Sequence, residues 1–198
     1  MIFRALQILA LSVVVVACSG EMSKEGDIFF NKEQYQKAID AYDKYLEVNP
    51  NDLNTRYKRA RAYEAIGEEE KAVEQYRYII TKDKEHFDAH LSMGGHFYKI
   101  NQNDDALFHY ERAIEKDPSH AMAYAQRGKT HQKLGDLKKA MQDYNSAISI
   151  NESTPEFYIA RGSLRLVMNQ SELACNDFKL GKSLGSEDAD DIIKKYCN

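Results

Sequence analysis

Apolar and aromatic residues recur along the chain with a fixed period. An alanine stands at intervals of 34 residues, and an aromatic residue follows each of these alanines by four positions. The alanines are Ala38, Ala72, Ala106, Ala140 and Ala174, and the aromatic residues are Tyr42, Tyr76, Tyr110, Tyr144 and Phe178. Residues four apart lie on one face of an α-helix. Each period therefore predicts a helix that buries this pair.

A second helix is predicted in front of the first in every period. A small residue stands twelve positions before each alanine, namely Gly26, Ala60, Gly94, Gly128 and Gly162. Glycine or alanine at a helix crossing lets the two axes approach toward the ~8 Å end of the usual range. In the second period the predicted helices run from Leu53 to Ile66 and from Glu68 to Thr81, with Gly67 between them.

The residues between the paired helices support this division. Gly67, Asn101, Gly135 and Asn169 occupy the same slot in four successive periods. Glycine and asparagine are the residues that tolerate the left-handed backbone that commonly ends a helix. We therefore expect each first helix to end at this slot.

Together these marks resemble the tetratricopeptide repeat, with a small residue at position 8, alanine at 20 and an aromatic residue at 24. The resemblance implies an all-α fold, a right-handed superhelical solenoid of five helix-turn-helix repeats with a C-terminal capping helix. The repeats are predicted at residues 19–52, 53–86, 87–120, 121–154 and 155–188, and the capping helix at residues 187–198. The tryptophan common at position 4 is absent, because the chain contains none.

The capping helix is predicted from the charges and apolar residues of the last segment. Ser186 is a suitable N-cap, and Glu187 and Asp188 suit the positive start of a helix. Lys194 and Lys195 suit its negative end. Such a helix would cover the apolar end of the last repeat.

The amino terminus has the pattern of a signal peptide. Apart from Gln7 and Ser12, residues 5–17 are apolar or small, and thirteen residues are too few for the ~20 that a membrane-spanning helix needs. Arg4 precedes this run, in the order typical of secretory signals. We predict that residues 1–17 are a cleaved signal peptide.

The residues Val15-Val16-Ala17-Cys18 resemble the lipobox of bacterial lipoproteins. The resemblance implies that Cys18 is lipidated, with palmitate or a similar acyl chain, and that residues 18–22 form a short tether. Ser19 is not the aspartate that retains lipoproteins in the inner membrane of enteric bacteria, which favours the outer membrane, facing the periplasm. The alternatives are an ordinary signal peptide with an incidental cysteine and a buried β-strand.

Two cysteines remain once Cys18 is set aside. Cys175 and Cys197 form an even pair in a chain predicted to leave the cytosol, where disulfides persist. We predict that they form a disulfide. The alternative is a pair of buried free thiols.

The sequence gives no sign of catalysis or of nucleic-acid binding. The formal net charge is −4, and phosphate-cradling glycine loops, nucleophile elbows and paired-cysteine zinc motifs are missing. We expect neither an enzyme nor a cofactor, and no small-molecule substrate. The alternative function is a metal or small-ligand binding protein that uses His86, His90 and His96. The competing explanation is that these histidines are ordinary surface and packing residues.

Repeat packing leaves one stripe of each first helix unused. At 100° per residue, positions 4, 8 and 11 pack inward, whereas positions 2, 5, 9 and 12 cluster roughly 115° away. In the family that the chain resembles, the second stripe lines the binding groove. The partner-binding residues predicted there are Tyr57, Arg61, Leu91, Tyr98, Lys129 and Gln132. We therefore expect a membrane-anchored protein-interaction scaffold that binds a peptide segment or partner helix during assembly of an envelope complex.

Overall fold

The computed structural model describes residues 23–197, and this part of the chain consists of helices and the turns between them. It divides into two compact units, one up to Lys84 and one from Glu85 onward. The helices of the first unit are α1 (described from residue 23 to 31), α2 (Tyr35–Val48), α3 (Leu53–Ala65) and α4 (Glu69–Lys82).

The second unit contains three helix pairs and a final short helix. These are α5 (Phe87–Lys99), α6 (Asn103–Lys116), α7 (Ala121–Lys133), α8 (Leu137–Ile150), α9 (Pro155–Val167), α10 (Ser171–Ser183) and α11 (Ala189–Tyr196). Helix pairs start at Leu53, Phe87, Ala121 and Pro155, 34 residues apart. The predicted all-α fold built from helix pairs is confirmed. In the second period the predicted first helix ends one residue after α3, and the predicted second helix begins and ends one residue before α4.

The predicted left-handed slot is confirmed at the end of each first helix. Gly67 has φ +82° and Asn101 has φ +64°, and Gly135 and Asn169 are also positive. The residue after this slot makes the hydrogen bond that ends the helix. In the second repeat the Glu68 N–H donates to the Tyr63 carbonyl at 2.9 Å. This is the bond that a left-handed residue allows at a helix C-terminus.

A close crossing holds the two helices of each repeat together. A Cβ atom on Gly94 would lie 2.6 Å from the Tyr110 ring, and one on Gly162 would lie 2.6 Å from the Phe178 ring. The rings themselves are almost completely buried. The aromatic residue of the second helix therefore occupies the space that a side chain on the first helix would need.

Burial has a further effect on the tyrosines at these crossings. It raises the pKa of Tyr42, Tyr110 and Tyr144 well above the ordinary value, because the ionised phenolate would be poorly solvated there. In Tyr42 a hydrogen bond to Asp27 adds to the increase. These rings are neutral core residues at physiological pH.

Buried ion pairs link the same helices in the last two repeats. Arg127 donates to both carboxylate oxygens of Asp143 at 2.9 and 2.7 Å, and Arg161 donates to those of Asp177 at 3.0 and 2.7 Å. In the second repeat Arg59 donates instead to the Gln75 side chain at 2.6 Å. The two ion pairs are 34 residues apart in sequence, and they are not among the predictions made from the sequence.

The third repeat replaces this link by a pair of histidines. Met93 stands where the second, fourth and fifth repeats have arginine, and His109 stands where they have aspartate or glutamine. The Nδ1 atoms of His109 and the buried His90 lie 2.9 Å apart, and the His109 ring stacks on Phe97 with centroids 5.3 Å apart. The two helices of the third repeat therefore share a polar contact between histidines, whereas the fourth and fifth repeats have an arginine–aspartate ion pair.

The prediction for the start of the capping helix is wrong. Helix α11 begins at Ala189 with Asp188 as N-cap, two residues after the predicted start at position 187, and Ser186 is not its cap. The reason is that the Ser186 N–H donates to the Gly181 carbonyl at 3.0 Å and Gly185 has φ +96°. Ser186 therefore belongs to the turn that closes α10.

The crossing can be tested with two neighbouring glycines of α5. Gly94→Ala should lower the free energy of unfolding by about 1 to 3 kcal/mol, because the new methyl group overlaps the buried Tyr110 ring. Gly95→Ala is the matched control, since its Cβ would lie 3.9 Å from the nearest atom, the Tyr110 hydroxyl. It should be neutral or stabilising by up to ~1 kcal/mol. The midpoint of urea unfolding measures both, and equal effects of the two variants would contradict the prediction.

Candidate partner-binding cavities

The six predicted groove residues lie on first helices in both units. Tyr57 and Arg61 belong to α3, Leu91 and Tyr98 to α5, and Lys129 and Gln132 to α7. Tyr98, Lys129 and Gln132 line one cavity in the second unit, and Tyr57 and Arg61 line another in the first. Leu91 lines neither of these two cavities.

The cavity of the second unit is the larger, at about 940 Å³. Its apolar floor comes from the starts of α7 and α9, with Met122, Ala125, Phe157, Ile159 and Ala160. Met122 is 39% exposed, so a flexible thioether is directly accessible to a ligand. The floor offers apolar surface without being closed to solvent.

One rim of this cavity is basic. The Nζ atoms of Lys129 and Lys133 lie 5.3 and 4.2 Å from the centroid of the Tyr98 ring. Lys133 also donates to the Tyr98 carbonyl at 3.2 Å. The ring thus holds two ammonium groups near its face through cation–π attraction, which contributes roughly 0.5 to 1 kcal/mol at exposed sites.

Gln132 and Tyr144 contribute polar groups to the same cavity. The buried Tyr144 hydroxyl donates to the Gln132 Oε1 atom at 3.0 Å. This bond fixes the Gln132 amide and uses its oxygen, so the amide NH₂ remains as donor for a ligand. The predicted role of Gln132 depends on this orientation.

The opposite rim is acidic. It is formed by Glu156 near the start of α9 and by Glu187 and Asp188 in the turn between α10 and α11. All three side chains belong to exposed residues. Glu187 and Asp188, which the sequence predicts at the start of the capping helix, instead precede α11 and line the cavity.

Lys133 and Glu156 also line the cavity, although neither is among the residues predicted from the sequence. Glu156 is position 2 of the fifth repeat, so the stripe of positions 2, 5, 9 and 12 already contained it. Lys133 lies four residues after Lys129 and hence on the same helix face. Both signals were present in the sequence.

The cavity of the first unit is smaller, at about 410 Å³, and its charges are already paired. Asp27 accepts from the Tyr42 hydroxyl at 2.8 Å and from Lys58 at 2.7 Å. Arg61 donates to the Tyr57 hydroxyl at 3.3 Å and pairs with Glu64 at 2.8 Å. The hydrogen bond to Tyr57 raises the pKa of Arg61, which stays fully charged.

The structure does not assemble the predicted histidine site. His86 is the N-cap of α5, and its Nδ1 accepts from the Ala89 N–H at 3.3 Å. The His90 ring lies against His109, and the His96 ring lies against Phe97. Among residues 23–197 no group of three histidine, cysteine or acidic side chains is placed to hold a metal ion. The metal-site alternative has no support in this geometry.

Cys175 and Cys197 are brought together and joined in the structure. Their Cα atoms lie 5.5 Å apart, within the range that a disulfide requires. Cys175 is near the start of α10 and Cys197 is the C-cap of α11, so the bond ties the end of α11 to the first half of α10 and closes a loop that contains the turn with the acidic rim. The prediction of a disulfide agrees with this geometry.

Cys18, the predicted signal peptide and the tether lie outside the described residues. Within the described part, the helices are too short or too polar to cross a bilayer.

Comparison with protein families identifies the repeats. A model of the TPR repeat matches residues 26–67 and 94–135, and two tetratricopeptide repeat models match residues 121–153 and 55–86. The chain belongs to the tetratricopeptide repeat family. Repeats of this family form protein-interaction scaffolds, and the sequence-based assignment is confirmed.

Solved structures of other tetratricopeptide repeat proteins share the fold. MamA is 26% identical, with a TM-score of 0.71, covering 83% of this chain and 96% of MamA. PilF of Pseudomonas aeruginosa is 16% identical, with a TM-score of 0.78, covering 85% of this chain and 77% of that one. PilW, a widely conserved type IV pilus biogenesis factor, is 16% identical, with a TM-score of 0.77, covering 84% of this chain and 77% of PilW. A comparison with curated proteins gives no match.

The disulfide predicts a defined pattern of thiol reactivity. In a Cys18→Ala background, alkylation of the denatured, unreduced protein should label neither cysteine, and reduction should expose two thiols. Replacing Cys175 and Cys197 by serine should lower the free energy of unfolding by about 3 kcal/mol, because the unfolded chain regains freedom. Two reactive thiols before reduction would contradict the prediction.

Proposed function

We propose that this protein is a lipid-anchored scaffold of the bacterial cell envelope that binds a peptide segment or partner helix of another envelope protein. The observation that carries the proposal is the open cavity of the second unit, lined by the stripe residues Tyr98, Lys129 and Gln132. Repeat packing uses the neighbouring stripe of the same helices, so these side chains remain available to a partner. Aromatic and methionine side chains such as Tyr98 and Met122 are enriched at protein interfaces.

The membrane attachment is inferred from the amino terminus. The run that ends in Val15-Val16-Ala17-Cys18 supports lipidation at Cys18, and Ser19 supports sorting to the outer membrane, on the periplasmic side. Residues 19–22 span at most ~14 Å when extended, which would hold the first repeat close to the bilayer.

A role in assembling an envelope complex is the most specific form of this proposal. PilW is described as a type IV pilus biogenesis factor, and it shares the repeat fold with this chain. At 16% identity the likeness carries the fold alone, so pilus assembly is one candidate among the envelope processes that need a scaffold. The partner should be identified by crosslinking in native membranes.

Lipidation can be tested by a single substitution. Cys18→Ala should abolish palmitate labelling and move the protein from the membrane fraction to the soluble fraction, because it removes the thiol that is acylated. The double variant with serine at positions 175 and 197 is the control and should keep both label and membrane attachment. A Cys18→Ala protein that stays labelled and membrane-bound would rule out the proposed anchor.

Partner binding can be tested on the cavity side chains. Tyr57→Ala, Arg61→Ala and Tyr98→Ala should each weaken binding of the crosslinked partner by roughly 1 to 3 kcal/mol, since aromatic and arginine side chains dominate interfaces. Phe108→Ala on α6 is the matched control, because Phe108 is 49% exposed but lines neither cavity. Titration calorimetry measures the affinities, and circular dichroism checks the fold. Wild-type affinity in the triple variant, with loss of binding in Phe108→Ala, would place the site elsewhere.

A further inference from the structure

The larger cavity has rims of opposite charge that are not neutralised within the protein. Lys129 and Lys133 lie at one rim, and Glu156, Glu187 and Asp188 lie at the other. Within residues 23–197 none of these five groups forms an ion pair, although other charged side chains do, such as Arg127 with Asp143. The charges at both rims are therefore available to a ligand.

The separation of the rims explains why they do not pair with each other. Helices α7 and α9 run in the same direction, because short turns join each of them to the antiparallel α8. Glu156 is the second residue of α9, whereas Lys129 and Lys133 are the ninth and thirteenth of α7. At 1.5 Å per residue the offset along the helices is about 10 to 16 Å. This exceeds ion-pair distance and is comparable to the Debye length of about 8 to 10 Å.

The polar side chains that line the cavity favour an extended segment over a helix. An extended peptide has backbone N–H and C=O groups that need partners, whereas a helix satisfies its own. The Gln132 amide can donate to such a backbone. The Ser163 hydroxyl, which donates to the Ile159 carbonyl at 2.8 Å, keeps lone pairs that can accept from it. Both residues line the cavity.

We propose that this cavity selects a short extended peptide segment with an acidic group at one end, a basic group at the other and apolar residues between them. The proposal rests on the partner-binding function proposed above and specifies the chemistry of the ligand. At ~3.3 Å per residue, the offset of the rims corresponds to two charged residues about three to five positions apart. The acidic group pairs with Lys129 and Lys133 beside Tyr98, and the basic group pairs with Glu156, Glu187 and Asp188.

The test uses the full-length protein and a display library of random short peptides. Selected peptides are synthesised with a fluorescein label, and their affinities are measured by fluorescence anisotropy. We expect an acidic and a basic residue about three to five positions apart. The Lys129→Glu, Lys133→Glu double variant should bind these peptides about tenfold more weakly or worse, and changing the peptide's acidic residue to lysine should restore much of the loss.

Controls separate this inference from the proposed function itself. Lys138→Glu with Lys179→Glu is the matched control, because both lysines are exposed in the same unit and lie outside the cavity. Peptides that need Tyr98 but show no charge preference would overturn the inference and leave groove binding intact. Peptides unaffected by Tyr98→Ala and by the charge reversals would overturn both, and failure to select any peptide would overturn the inference.

Discussion

The close crossing of the two helices in each repeat is the contact on which the rest of the structure depends. In the third and fifth repeats an aromatic ring of the second helix lies where a Cβ atom of the first helix would be, at 2.6 Å from the missing atoms on Gly94 and Gly162. In the second repeat the small Ala60 stands at the same position. This packing decides which face of the first helix is buried. The neighbouring stripe, which carries Tyr98 and Lys129, is left accessible as a consequence.

The crossing also needs a polar partner, and here the repeats differ. Asp177 is almost completely buried and forms ion pairs with both Arg161 and Arg165, so removing either arginine would leave part of a buried charge uncompensated. A buried ion pair contributes modestly to stability, because the cost of removing two charges from water offsets much of their attraction. The third repeat achieves a polar contact with His90 and His109 instead. Its two helices therefore share a link that carries a formal charge only when a histidine is protonated.

The end of the chain connects stability to the candidate site. The disulfide between Cys175 and Cys197 ties α11 to α10, and the turn between these helices places Glu187 and Asp188 at the cavity. One rim of the cavity thus depends on a cross-linked cap, whereas the other depends on the rigid face of α7. A site built on helices and a restrained turn is already organised before a ligand arrives, which lowers the entropy lost on binding.

The sequence by itself determined the repeat, the helix pairs, the left-handed slot at Asn101 and the stripe that contains Tyr98 and Lys129, because these follow from local periodicity and backbone preference. The even number of remaining cysteines also predicted the disulfide between Cys175 and Cys197. Only the tertiary structure decided that Leu91 lies outside both cavities and that Gln132 is oriented by Tyr144. It likewise decided that Glu187 and Asp188 face the larger cavity, since the turn closing α10 extends through Ser186 and delays α11. Periodicity specifies which face a residue occupies, but contacts between helices and the path of a turn depend on residues distant in sequence.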